Sequence, residues 1–200
     1  MSSARLQFWF EFASTYSYPA AMRIDALARD AGVGIDWEPF LLGPIFQGQG
    51  WNDSPFNLYP AKGRYMWRDL ERLCERHGLP FRRPAIFPQR SLLAARIACV
   101  AKSESWLPDF VRAVYRANFV HGADISRPET VAACLRSARQ DPDGWLARAE
   151  APENKALLRA QSDRAAALGI FGAPSFISGD ELFWGHDRLE EALAWHREHA

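Results

Sequence analysis

Two apolar runs separated by one amphipathic helix constrain the first forty residues of this chain more than any other feature. Leu6–Phe12 is dense in aromatic residues, the composition of a strand covered on both faces. Ser17–Ala31 follows with Ala21, Ile24, Leu27 and Ala28 on one helical face and Gly32 as its stop. Gly34–Phe40 then alternates Ile35, Trp37 and Pro39 with Asp36 and Glu38. A strand–helix–strand unit of this length makes the two strands parallel, joined by a right-handed crossover. The chain therefore opens as an α/β fold.

The rest of the pattern extends that opening. Residues 43–61 read as a long loop rich in Gly, Pro and Asn, carrying Phe46, Trp51, Phe56 and Tyr59. Loops of this length are functional or disordered, and the aromatic content argues against disorder. From residue 62 to about 168 the pattern is helical. Its helices are Lys62–His77, ended by Gly78-Leu-Pro80, then Ser91–Lys102, Trp106–Phe119, one opened by a Ser126-Arg-Pro-Glu129 capping box, one begun by Asp141-Pro-Asp, and Glu153–Leu168. Strand composition returns in Ser175–Ser178 and Glu181–Trp184 around Gly179-Asp180, a two-residue hairpin signal. Asp187-Arg-Leu-Glu190 is expected to cap a last amphipathic helix. The order predicts a thioredoxin-like α/β domain, residues 1–61 and 165–200, interrupted by an all-helical insertion over 62–164.

Composition narrows the function. The 200 residues carry 24 basic and 24 acidic side chains, so no charge excess points to nucleic acid or a membrane surface. Cys74, Cys99 and Cys134 are isolated in helical patterns and read as reduced core residues of a cytoplasmic protein. No window reaches the roughly 18 apolar residues of a membrane-spanning helix. The start, Met-Ser-Ser-Ala-Arg-Leu-Gln, lacks the apolar core of a signal peptide.

The strand-to-helix junction is where thiol redox proteins of this topology keep a Cys-x-x-Cys pair, and here it holds Ser14, Thr15, Tyr16 and Ser17. Ser14 is either the N-cap of the helix or a functional hydroxyl. Pro19 favours Ser17 as the cap, because that choice puts the proline in the first turn, and it leaves Ser14 spare above a helix terminus that attracts anions. Pro174, just before the first hairpin strand, either ends a loop or forms the cis peptide of thioredoxin-like folds, which frees the Ala173 backbone to pair with an extended peptide. Lys62 opens a helix beneath the aromatic loop, and a cation there is a small conflict that hints at an anionic ligand. Asp187 reads as an N-cap or as a partner for a ligand ammonium, with His186 beside it. No histidine spacing suggests a metal site.

Phe10-x-Phe-x-Ser-x-x-Ser-Tyr18, Lys62-Gly-x-Tyr65, Gly169-x-Phe-Gly-x-Pro174 and Gly185-x-Asp-Arg-Leu189, in this order along nearly the whole chain, resemble the 2-hydroxychromene-2-carboxylate isomerase family. That family is grouped with the kappa-class glutathione transferases in the thioredoxin-like disulfide-oxidoreductase superfamily. The resemblance implies that glutathione is the cofactor and that Ser14 holds its sulfur. It implies that Asn52, Lys62, Ala173, Pro174, His186 and Asp187 surround the peptide, and Phe46 and Trp51 are the natural walls for a small aromatic substrate. It further implies a homodimer and a role in aromatic catabolism. Thr15 stands where the family usually has proline. A kappa-like transferase or peroxidase would share the glutathione site, and a non-catalytic peptide-binding module would use only the Ala173 edge.

Overall fold

A computed structural model describes residues 5–200, so part of the segment behind the signal-peptide expectation, residues 1–4, lies outside it. Strands β1 (Leu6–Phe10), β2 (Ile35–Pro39), β3 (Ser175–Ser178) and β4 (Glu181–Trp184) form one sheet in the order β2-β1-β3-β4. β1 and β2 are parallel, with Leu6 opposite Ile35 and Phe10 opposite Pro39, while β3 runs antiparallel to both β1 and β4. Helix α1 spans Ser17–Ala31 as expected, and Gly32 ends it in the left-handed region at φ 70°. β1 stops two residues short of Phe12 because the chain curls: Ser14 N–H donates to the Glu11 carbonyl and Ala13 N–H to the Glu11 side chain.

The period-2 alternation of β1 decides what packs on each face of the sheet. Leu6, Phe8 and Phe10 point into the main core, where Phe8 stacks on Phe176 and meets Trp37 edge-on. Trp9 points the other way, into a smaller cluster with Phe40, Ile45, Ala165, Ile170 and Ile177.

Residues 43–61 differ from the expected loop. Leu42–Gly48 is helix α2, Pro55–Leu58 is α3, and α4 (Pro60–Arg76) already begins two residues before the expected Lys62. Pro55 and Pro60, which suggested coil, open α3 and α4, since proline at the first position gives up a donor that has no partner there, and Pro44 sits in the first turn of α2. Ser54 caps α3 by accepting from Phe56 N–H at 3.3 Å. The helical block continues as α5 (Leu92–Val100), α6 (Leu107–Phe119), α7 (Pro128–Ser137), α8 (Pro142–Glu150) and α9 (Pro152–Ala167). α8 begins at Asp141-Pro-Asp as expected, and Asp141 caps it by accepting from Asp143 N–H. Ser126 does not cap α7: its hydroxyl donates to Asp124 at 2.6 Å, and Arg127 occupies the cap position. The last helix, α10 (Leu189–His199), follows a single 3₁₀ turn, His186–Arg188, so Asp187 lies inside that turn rather than at a helix cap.

The apolar core is continuous from the sheet into the helical block, with Phe10, Phe12, Phe110 and Tyr115 in ring contact. All three cysteines are buried and unpaired, and burial pushes their thiols up to about 11.

Candidate active site

Ser14 sits at the turn between β1 and α1 and is only 8% exposed. Its hydroxyl is not spare. The oxygen accepts from Ser17 N–H at 3.2 Å, and the proton goes to the Ala173 carbonyl at 2.8 Å. The expected division of labour is thus reversed. Tyr16 occupies the N-cap position without a side-chain cap bond, Ser17 is the first helical residue, and its own buried hydroxyl has no partner. Ser14 reaches forward to satisfy the free N–H of Ser17 itself, because a hydroxyl three residues ahead of a free N–H is well placed to accept from it. Pro19 does fall in the first turn, as the spacing required.

The Ala173–Pro174 peptide is cis and lies across this turn. Two neighbouring bonds hold it: Ser175 donates to the Gly172 carbonyl at 2.9 Å, and Gly185 N–H to the Pro174 carbonyl at 2.9 Å. A Cβ at 172 would run into the Trp184 indole, so any larger residue there would push that ring from its place. The β3–β4 hairpin therefore fixes where the Ala173 carbonyl meets Ser14, with the two residues 159 apart in sequence.

A cleft of about 1740 Å³ opens at that meeting point. Ser14, Asn52, Lys62, Ala173, His186 and Asp187 all line it, as do Phe46 and Trp51. Of the glutathione and substrate residues that the resemblance implies, Pro174 alone is absent from the lining, buried next to Ala173. Lys62 lies in the first turn of α4 with its ammonium 4.9 Å from the centre of the Tyr59 ring. Phe46 and Trp51 contact each other at 5.6 Å across the bend that follows α2. Asp187 folds its carboxylate back over Gly185, whose φ of 111° only glycine adopts easily.

His186 is placed by a partner the sequence did not suggest. Its ring stacks on Tyr16 at 5.1 Å, nearly parallel, and Tyr16 donates to Asp69 on α4 at 3.0 Å. Burial lowers the imidazole pKa, against the pull of Asp187, so the ring favours its neutral form. Burial, then Asp69, raises the Tyr16 phenol beyond any physiological pH. Phe171 and Trp184, in contact at 4.9 Å and both exposed, add a second aromatic wall. Their sequence signal was Gly172, whose missing side chain makes room for Trp184. Glu11 also lines the cleft while 6% exposed. Its signal was a charge inside an apolar run.

The arrangement presents the buried Ser14 hydroxyl, the Ala173 backbone at a cis peptide, three cations (Lys62, Arg90, Arg188) and four carboxylates (Glu11, Asp53, Asp69, Asp187) around an apolar, aromatic-walled space. That set suits a thiol peptide with charged ends beside a flat organic molecule.

The chain matches the DSBA-like thioredoxin domain over residues 5–194. The 2-hydroxychromene-2-carboxylate isomerase of Sphingobium xenophagum is 29% identical over 186 residues, spanning 92% of this chain and 94% of that protein. Glutathione S-transferase kappa 2 of Caenorhabditis elegans is 27% identical over 207 residues, spanning 93% and 88%. A solved structure of 2-hydroxychromene-2-carboxylate isomerase superposes with a TM-score of 0.86 at 24% identity, covering 96% of this chain and 94% of that one, which is a likeness of fold.

Proposed function

This chain belongs to the DSBA-like thioredoxin domain family, and we propose that it is a glutathione-dependent isomerase of an aromatic or unsaturated keto acid, of the 2-hydroxychromene-2-carboxylate type. The observation that carries this reading is Ser14. The turn that holds a cysteine pair in thiol redox proteins holds a serine here, hydrogen-bonded to the residue before a cis-proline, and all three cysteines lie elsewhere in the core. The curated relatives named as isomerases support the reaction class, and the kappa transferase relative supports glutathione as the thiol.

The energetics are sufficient. A free thiol with a pKa near 8.5 must fall about two units to be mostly ionised at neutral pH, a preference of roughly 2.7 kcal/mol for the anion. A charge-assisted hydrogen bond from Ser14 supplies about 1.5–3 kcal/mol. The N-terminus of α1 adds about 0.3–1 kcal/mol. Ser14 can donate to sulfur only by withdrawing its proton from the Ala173 carbonyl. The cysteinyl N–H of the peptide, pairing with that carbonyl as ligands do at exposed backbone edges, replaces it. Docking of the peptide and ionisation of its thiol are then one event.

In this reading Lys62 and Asn52 hold the carboxylate-bearing end of glutathione, and Asp187 with the neutral His186 receives the γ-glutamyl ammonium. The chromene ring opens at its C–O bond to a phenol and a keto acid. Thiolate addition turns the side-chain double bond into a single bond, the side chain rotates, and departure of the thiolate restores the double bond and completes the isomerisation. Phe46, Trp51, Phe171 and Trp184 wall the ring. The three unpaired cysteines support a cytoplasmic setting; no helix among the described residues is long and apolar enough to cross a membrane.

The test is turnover of 2-hydroxychromene-2-carboxylate with catalytic glutathione, followed by thiol quantitation. The expected result is product formation with the glutathione recovered unchanged. Activity without glutathione, or its stoichiometric consumption as a conjugate, would overturn the assignment.

A further inference from the structure

Glu11 is a buried carboxyl that the isomerisation, as described so far, does not use. It stands three residues before Ser14, on the same turn, and reaches the floor of the same cleft. Its own turn, the start of α5 and the helix α6 each face it with a neutral donor. Ala13 N–H donates to one carboxylate oxygen at 2.9 Å and the Ser91 hydroxyl to the other. Ser91 holds the N-cap position of α5 without capping it, its hydroxyl turned to Glu11 instead. From α6, the Tyr115 phenol donates to the Glu11 carbonyl at 3.0 Å and is itself held protonated, by burial first and then by the charge of Glu11. Tyr16, Asp53, Lys62, Tyr65, Asp69, Arg90, His186, Asp187 and Arg188 are the charged or titratable groups along the rest of the cleft, and none of them forms an ion pair with Glu11.

A second anion forming at Ser14 would therefore share this turn with an unpaired carboxylate, and two like charges in one partly enclosed site do not ionise independently. We propose that Glu11 takes up the proton that leaves the glutathione thiol, so that the site carries one negative charge throughout the cycle. The inference rests on the glutathione reading given above. The thiol S–H bond breaks, a carboxyl O–H bond forms, and no electrons change hands. The proton stays on Glu11 while sulfur adds to and leaves the substrate, and it returns to sulfur when glutathione departs. Burial pushes the Glu11 carboxyl up to about 7, with the Ser91, Ala13 and Ser14 bonds pulling the other way, so the free enzyme at slightly alkaline pH holds it ready to accept. Glu11 acts through the thiol rather than on the substrate, which makes it a positioning residue for charge.

Proton exchange with solvent on glutathione binding tests this directly, measured by calorimetry at pH 7.5 in buffers of different ionisation enthalpy, with thiolate absorbance near 240 nm recorded in parallel. The wild type should form thiolate while releasing close to no protons, because Glu11 absorbs the one that sulfur loses. Glu11→Gln keeps the shape, cannot accept a proton, and should release about one per glutathione bound as thiolate. Ser91→Ala, a milder change, should raise the release above the wild-type value, because Glu11 without its donor is already partly protonated. Wild type releasing about one proton, or equal release from wild type and both variants, would overturn the proposal. Absence of the thiolate band in the wild type would instead overturn the glutathione reading beneath it.

Discussion

Replacing Ser14 with alanine removes one oxygen that makes two internal hydrogen bonds and, in the proposed reaction, exchanges the one to Ala173 for a third, to sulfur. The structural cost follows from the first two. Ser17 N–H loses its acceptor and the Ala173 carbonyl loses its donor, at about 1 kcal/mol each. A loss of about 2 kcal/mol lowers the melting temperature of a chain this size by roughly 4–8 °C. That leaves a stable fold. The chemical cost follows from the third bond, about 1.5–3 kcal/mol of preference for thiolate. At 1.4 kcal/mol per factor of ten, turnover should fall roughly 10- to 150-fold. The assay pairs thermal unfolding with steady-state kinetics at saturating glutathione, so that the two losses are read separately. A variant that melts several degrees lower yet turns over at the wild-type rate would refute the reasoning, because the hydroxyl would then be structural only.

Three further outcomes follow from the same contacts. Glu11 has a folded-state pKa near 7 against an ordinary 4.5, so its contribution to stability is fully present below pH 4.5 and is lost as pH rises through 7. The swing is on the order of 3 kcal/mol, and denaturant titrations at pH 5 and pH 8 should show Glu11→Gln gaining by about that amount, relative to wild type, at the higher pH. A thiol without a peptide, such as 2-mercaptoethanol, offers no N–H to the Ala173 carbonyl and leaves the Ser14 proton there. Its bound thiol should show no 240 nm thiolate band at pH 7 where glutathione does, and equal ionisation of the two would contradict the exchange. Glu38, buried on β2, accepts from Lys102 and Gln161, with Arg164 3.8 Å away. Lys102→Met should cost about 2 kcal/mol in denaturant unfolding while leaving glutathione affinity unchanged, because none of these residues lines the cleft.

Much of the fold was legible because it is written in local periodicity. The alternation in β1 and β2, the apolar face and Gly32 stop of α1, and the Gly179-Asp180 hairpin all specify structure within a few residues of themselves. Segment 43–61 was not legible. The same prolines that end one element can begin the next, and composition does not distinguish the two. The caps at Ser126 and Asp187 failed for a related reason. Asp124 offered Ser126 a nearer acceptor, and Gly185 let the chain take a 3₁₀ turn before α10. At the site, the motif residues converge on one cleft, but the state of Ser14 could not be read from the chain. Its proton is committed to a carbonyl 159 residues away. The stack of His186 on Tyr16 and the donors around Glu11 are likewise long-range contacts with no local signature.

The central claim is that this protein borrows a thiol and holds it as the anion at Ser14. The pH titration of thiolate absorbance for glutathione bound to the wild-type chain addresses it most directly. Ionisation well below the free thiol, with a midpoint about two units under 8.5, is the predicted result. A midpoint near 8.5 in the bound state, or no saturable binding of glutathione at all, would contradict the account.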